Sequence, residues 1–293
     1  MNSKVGISSY NNSKIHEVLK VVRNYMGLIL LVIFLSSELI VFTQESYYFP
    51  VYPTREYMRP LLGGLQIQII NGTHYNICTL GYFARRDTDY GFVTAAHCID
   101  RLWNNGNPVW VQIYQPDDTR SDYLVGPSRY YIISGDIDAT FVPLNPGVGW
   151  RAEIINITGQ NSWTRILIYS YRDWDDVGLG VDVCKTGRST GTTCGYVIDK
   201  REFLSTPYRN LSYVIITNIT VAPGDSGSPL YYHVKPSIRD LDTYILGHLS
   251  MGGNCMLAIV NGELTNLCPI SIFVSVKAVR NLFGLTICNS TRC

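Results

Sequence analysis

An all-β domain is what this sequence predicts, on three observations. Short runs of alternating or wholly apolar residues recur between turn signals, tyrosine (21 copies) and β-branched residues are abundant, and only residues 276–285 have a helical pattern. Residues 65–70 alternate glutamine with leucine or isoleucine, as a strand with one buried face does. Residues 91–95 are apolar and end in small side chains, and 109–114 alternate valine and isoleucine with larger residues. Residues 139–142, 165–171, 181–183, 213–218, 244–249 and 270–276 continue the series, each rich in Val, Ile, Tyr or Phe. Many short strands at this spacing make a sandwich or a barrel. With 293 residues, 46% of them hydrophobic, the chain can bury one large domain or two modest ones. Its formal charge of +1, with Lys and Arg spread along the chain, excludes the concentrated basic face that a nucleic-acid partner requires.

The N-terminal region differs from the rest. Lys4, Lys14, Lys20 and Arg23 precede an apolar run over 25–35, and Ser36-Ser37-Glu38 interrupts it before Leu39-Ile40-Val41-Phe42. A positive flank, a short apolar core and a small polar break predict a secretory signal over 1–43, and an uncleaved signal anchor in the membrane is the alternative. Residues 44–61, with Pro50, Pro53 and several tyrosines, are expected to be an N-terminal extension or linker, with the main domain over 62–293 and no room for a large folding pro-region before it.

Three blocks carry chemistry. Ala222-Pro223-Gly224-Asp225-Ser226-Gly227-Ser228-Pro229 is a turn whose glycines permit positive φ, so that Ser226 can stand exposed while the amides of Gly224 and Ser226 converge on one point. A serine hydroxyl needs a base to become a nucleophile. Gly91-Phe92-Val93-Thr94-Ala95-Ala96-His97-Cys98 delivers His97, whose ring is suited to shuttle a proton at neutral pH. In Gly135-Asp136-Ile137-Asp138-Ala139-Thr140-Phe141, Asp138 stands at the start of a strand and Asp136 in the preceding turn; Asp138 is the better candidate to orient the base.

In the order His, Asp, Ser, these blocks resemble a chymotrypsin-like serine protease; subtilisin-like and α/β-hydrolase enzymes use other orders. Leu62-Gly63-Gly64-Leu65-Gln66-Ile67, Cys78-Thr79-Leu80-Gly81-Tyr82-Phe83, the glycine-rich loop from Cys184 to Gly195, and Leu246-Gly247-His248-Leu249-Ser250-Met251-Gly252-Gly253-Asn254-Cys255 resemble the α-lytic protease and streptogrisin group. The resemblance runs from about Leu62 to Phe283 and implies two antiparallel six-stranded Greek-key barrels, over about 62–155 and 156–285, with a short C-terminal helix and the site between the barrels. It implies His97, Asp138 and Ser226 as the triad, Gly224 and Ser226 as oxyanion donors, and Thr220, Ser250, Met251 and Gly252 as the residues that meet the substrate.

Without a carboxylate at Thr220, neutral or apolar residues before the scissile bond are expected. His248 could instead favour an acidic one, although a structural strand histidine is the plainer reading. Ser228, where most relatives have glycine, and Ala96, where the closest often do, depart from the pattern.

Eight cysteines in an exported chain predict disulfides. The resemblance implies Cys78 with Cys98 and Cys184 with Cys194, and proximity adds Cys255 with Cys268 and Cys288 with Cys293. No Cys-x-x-Cys pair occurs, which argues against zinc. Sequons stand at Asn71, Asn156, Asn210, Asn218 and Asn289. The expectation is a secreted, glycosylated, monomeric endopeptidase acting on proteins or peptides without metal or cofactor. A catalytically inactive exported binding module is the alternative.

Overall fold

A computed structural model describes residues 20, 45–51, 54–72, 74–100, 111–116, 120–127, 130–132, 137–159, 161–234 and 242–293. The chain divides into two units, Met1–Gln44 and Glu45–Cys293. Apart from Lys20, the segment read as a signal or anchor lies outside the described residues, and so does Asp136. Among the described residues no helix is long and apolar enough to cross a membrane.

Strands dominate the second unit, and their inward faces follow the alternation in the sequence. In Gln66–Asn71 the side chains of Ile67 and Ile69 are fully buried. Ala139–Pro143 is buried along its whole length, as a strand covered on both faces must be. Two sheets enclose the first core. One has four strands in the order His74–Thr79, Gln66–Asn71, Gln112–Tyr114, Leu124–Pro127; the other has five, in the order Thr286–Ile287, Tyr82–Arg86, Asp89–Thr94, Ala139–Pro143, Tyr130–Ile132. Ile67, Ile69, Phe83, Phe92, Ile113, Val125 and Val142 fill the space between them. These nine strands exceed the six expected; the short edge strand Tyr130–Ile132 and the returning C-terminal strand Thr286–Ile287, both in the second sheet, are two of the three additions.

The second barrel closes with six strands. Pro229–Val234, Asp182–Gly187, Gly191–Ser205, Asn210–Thr217, Ile270–Ser275 and Asp242–Gly253 follow one another, and the last pairs back with the first. Ser162–Tyr171, Trp150–Gly159 and Leu61–Gly63 extend that sheet beyond the barrel. Trp150–Gly159 is one continuous ten-residue strand, so it spans the boundary expected near 155. Most pairings are antiparallel; the two that attach these extending strands at Asp242–Gly253 and Leu61–Gly63 are parallel.

Several strands are longer than their apolar runs. Gly191–Ser205 continues for 15 residues through polar, exposed positions because its neighbour Asn210–Thr217 supplies a hydrogen-bond ladder there. The helix is Val276–Phe283: Ser275 Oγ accepts from Ala278 N at its start, and Gly284, at φ 66°, ends it two residues before the expected limit.

Part of the N-terminal extension is a strand. Ser46–Tyr47 pairs in parallel with Met256–Val260, whose hairpin partner is Glu263–Leu267. Tyr47 and Phe49 pack against Ala222, Ala258, Val260 and Leu267. This apolar contact brings the extension to the edge of the loop that carries Ser226. Four disulfides form, Cys78–Cys98, Cys184–Cys194, Cys255–Cys268 and Cys288–Cys293.

Candidate active site

His97 begins a single helical turn, His97–Asp100, directly after the strand Asp89–Thr94, and the Cys78–Cys98 bond ties that turn to the neighbouring sheet. Asp138 immediately precedes the strand Ala139–Pro143, which pairs with Asp89–Thr94 and so brings the two residues side by side. His97 N donates to Asp138 Oδ1 at 2.8 Å and His97 Nδ1 lies 2.7 Å from Asp138 Oδ2. On the other side of the ring, Nε2 is 2.8 Å from Ser226 Oγ, which belongs to the second barrel. The three residues therefore form one continuous hydrogen-bonded chain.

Asp138 is 1% exposed. Burial alone would raise its pKa, but His97, the Arg209 guanidinium and the Ser250 hydroxyl together hold it well below the usual carboxylate range. Ser250 Oγ donates to Asp138 Oδ2 at 2.6 Å, and Arg209 Nη1 is 2.8 Å from Asp138 Oδ1. Beneath them His248 is fully buried, with Nε2 donating to the Asp138 carbonyl at 2.8 Å. Burial lowers the His248 pKa, and the buried ring is engaged by the Asp138 carbonyl.

The Ser226 loop is held from below. Asp225 is completely buried; its carboxylate accepts from Ser189 N (2.7 Å), Thr190 N (3.1 Å), Thr190 Oγ1 (2.6 Å) and Ala222 N (3.0 Å). Lys185 Nζ, equally buried, stands 3.4 Å from Asp225 Oδ2 and donates to the Gly191 carbonyl at 2.9 Å and to Thr190 Oγ1. Thr79 secures the upper side: its hydroxyl donates to the Gly224 carbonyl and its N–H to the Ser226 carbonyl, both at 2.8 Å. With these contacts Gly224 adopts φ +98°, and the N–H groups of Gly224 and Ser226 donate to no protein acceptor among the described residues. Gly227, at φ +89°, has no room for a side chain, since a Cβ there would meet Thr94 Oγ1 at 2.0 Å and Thr79 O at 2.3 Å. Ser228, the departure noted above, is buried with its hydroxyl turned back onto the Asp225 carbonyl; Gly187 leaves space for it.

The residues expected to meet substrate divide into two groups. Leu249 still exchanges backbone hydrogen bonds with Gly227 and Ser228, and beyond it the strand Asp242–Gly253 pairs, among the described residues, only with Ile270–Ser275, which leaves Met251 and Gly252 with one open edge. Thr220 is half-buried and its carbonyl accepts from Thr193 Oγ1. Gly252 lies against the Cys255–Cys268 bond, with Cys268 Sγ 2.6 Å from the position of a Cβ. The Ser250 side chain is buried and donates to Asp138, so only its backbone can face a peptide. Sequence reasoning missed Lys185 and Arg209. Nothing in the local pattern of either marks it, for each is an ordinary cation in a polar stretch until folding supplies its carboxylate.

No family model matches the chain. It is 25% identical over 227 residues to Streptogrisin-C of Streptomyces griseus, which covers 73% of this chain and 38% of that protein, so the chain spans well under half of the relative's length. Thermobifida fusca protease A (TM-score 0.54, 18% identity) and Cellulomonas bogoriensis chymotrypsin (0.54, 21%) each cover 78% of this chain and 98% of their own. A serine protease described as glutamic-acid-specific, with a histidine triad in substrate binding, superposes with a TM-score of 0.56 at 18% identity over 78% of this chain and the whole of that one. With these likenesses the chain has the fold of the chymotrypsin-like serine proteases.

Proposed function

We propose that this protein is an exported serine endopeptidase that cleaves peptide bonds through an acyl-enzyme. The observation that carries this reading is the unbroken chain from Ser226 Oγ to His97 at 2.8 Å and from His97 to Asp138 at 2.7 Å. Asp138 accepts a hydrogen bond from Nδ1–H, a tautomer that leaves the Nε2 lone pair facing Ser226 Oγ. As the hydroxyl attacks a carbonyl carbon, its proton passes to Nε2, and the imidazolium that forms is stabilised by the Asp138 carboxylate. The carbonyl oxygen becomes an oxyanion beside the amides of Gly224 and Ser226, each such donor contributing about 10²- to 10³-fold in rate. His97 then protonates the leaving amine, and water repeats the cycle on the acyl-enzyme.

The open edge at Met251 and Gly252 supports binding of an extended peptide as an added strand. A neutral or apolar residue before the cut is the preference that Thr220, with no carboxylate, and the apolar side chain of Met251 favour. The acid-selective neighbour relies on histidines; here His248 bonds the Asp138 carbonyl and His233 pairs with Thr243, so neither supports acid selectivity. Four disulfides are consistent with an oxidising compartment.

The test is labelling with a serine-reactive fluorophosphonate followed by cleavage of a peptide library. Label and cleavage in the wild type, both lost in Ser226→Ala, are expected. Folded, disulfide-bonded wild type that takes no label would refute the reading.

A further inference from the structure

Arg209 stands apart from everything that the fold class demands. It closes the turn between Gly191–Ser205 and Asn210–Thr217, where Thr206 holds it by three bonds: Thr206 N (3.0 Å) and Oγ1 (2.7 Å) donate to the Arg209 carbonyl, and Arg209 N donates to Thr206 Oγ1 (3.1 Å). From this pinned backbone the side chain reaches Asp138, placing Nη1 2.8 Å from Oδ1, with 26% of the arginine side chain exposed and none of the carboxylate. Asp138 therefore has three hydrogen-bond donors, His97 N on Oδ1 and His97 Nδ1 and Ser250 Oγ on Oδ2, and an ion pair with Arg209 at Oδ1. Two bonds from His97 and one from Ser250 already determine the plane of the carboxylate. The ion pair with Arg209 adds a permanent positive charge.

That charge bears on the proton of the imidazole. A carboxylate already shared with a guanidinium stabilises a neighbouring imidazolium less than a carboxylate free of it, and the guanidinium itself repels the imidazolium. Among the described residues the other groups facing the pair are Ser226, Ser250, the buried His248, whose pKa burial lowers, and, beside His248, the buried Tyr82. None of these carries a fixed charge. Among the described residues Arg209 is the one permanently charged cation acting on Asp138.

Resting on the protease reading above, we infer that Arg209 is a positioning residue of the triad, which clamps Oδ1 of Asp138 and sets the acid limit of activity. Protonation of the imidazole abolishes the general base, and a nearby positive charge opposes that protonation. With Arg209 in place the base therefore stays available to lower pH than it would without it.

The experiment compares kcat/KM against pH for wild type, Arg209→Gln and Arg209→Lys, with active sites counted by fluorophosphonate. In Arg209→Gln the acid limb is expected to move up by about one pH unit, with KM at the plateau little changed; Arg209→Lys, which keeps the charge, stays close to wild type. An arginine that merely supports the turn would lower the labelled fraction and the melting temperature but leave the limb in place. Coincident limbs in Arg209→Gln and wild type overturn the inference.

If the glutamine variant does not fold, NMR titration of the wild type decides. A guanidinium resonance of Arg209 that moves with the His97 midpoint supports the coupling, and one that stays flat through it overturns the coupling. Wild type that takes no label refutes the protease reading, and the same titration still reports on Arg209 independently of activity.

Discussion

Lys185→Met removes the cation buried beneath the Ser226 loop, with a methionine of similar length left in its place. Lys185 and Asp225 are both fully buried, 3.4 Å apart. Desolvation lowers the Lys185 pKa, opposed by the Asp225 charge and hydrogen bond. Deleting one partner of a buried pair costs about 3–5 kcal/mol, because the other charge remains uncompensated. Asp225 keeps three backbone N–H donors and the Thr190 hydroxyl, which places the cost near the lower end, at about 3 kcal/mol. At about 2–4 °C per kcal/mol for a domain of this size, the melting temperature should fall by roughly 6–12 °C.

The same change frees the loop that orients the Gly224 amide, so kcat per titrated active site should drop by about 10²-fold, as for loss of one oxyanion donor. Calorimetry with the disulfides intact and burst titration with an activated ester measure the two effects. Lys185→Arg, which retains the charge, should recover most of both. A methionine variant that melts within about 2 °C of wild type would show that the backbone donors alone hold Asp225 and that the ion pair is not needed.

Two other perturbations separate chemistry from scaffold. Asp138→Asn should preserve the fold but lower kcat by about 10⁴-fold, because the amide stabilises the wrong imidazole tautomer. Since the folded Asp138 pKa is depressed, its carboxylate contributes stability above the unfolded value, near pH 4, that is lost as pH falls through the folded value; urea midpoints should therefore depend less on pH below about 4 in the variant, and an unchanged slope would contradict this. Gly227→Ala should prevent folding or destabilise by more than about 3 kcal/mol, through strain at positive φ and the clash with Thr94 and Thr79. A soluble alanine variant with a wild-type denaturation midpoint would refute the packing described between the Ser226 loop and the first barrel.

The sequence by itself determined the strand-rich class, His97 and Ser226 as the candidate base and nucleophile, and the turn that carries the serine. Each of these is written in contiguous residues: an alternating run, a histidine after small side chains, glycines on either side of a serine. The choice between Asp136 and Asp138 was not so local. Asp138 shows its role in its contacts with His97, Ser250 and Arg209, which come from three other parts of the chain.

Only the tertiary structure decided the rest. Ser250 reads in sequence as a strand residue beside substrate, yet its hydroxyl turns inward because the carboxylate of Asp138 waits there for a donor. The pairing of Ser46–Tyr47 with Met256–Val260 joins segments with no mutual signal in either. Lys185 and Arg209 look like solvated surface cations, because a charged residue carries no mark of whether folding will bury it. Their roles arise when long-range strand pairing brings an oppositely charged group to each and excludes the water that would otherwise have screened them.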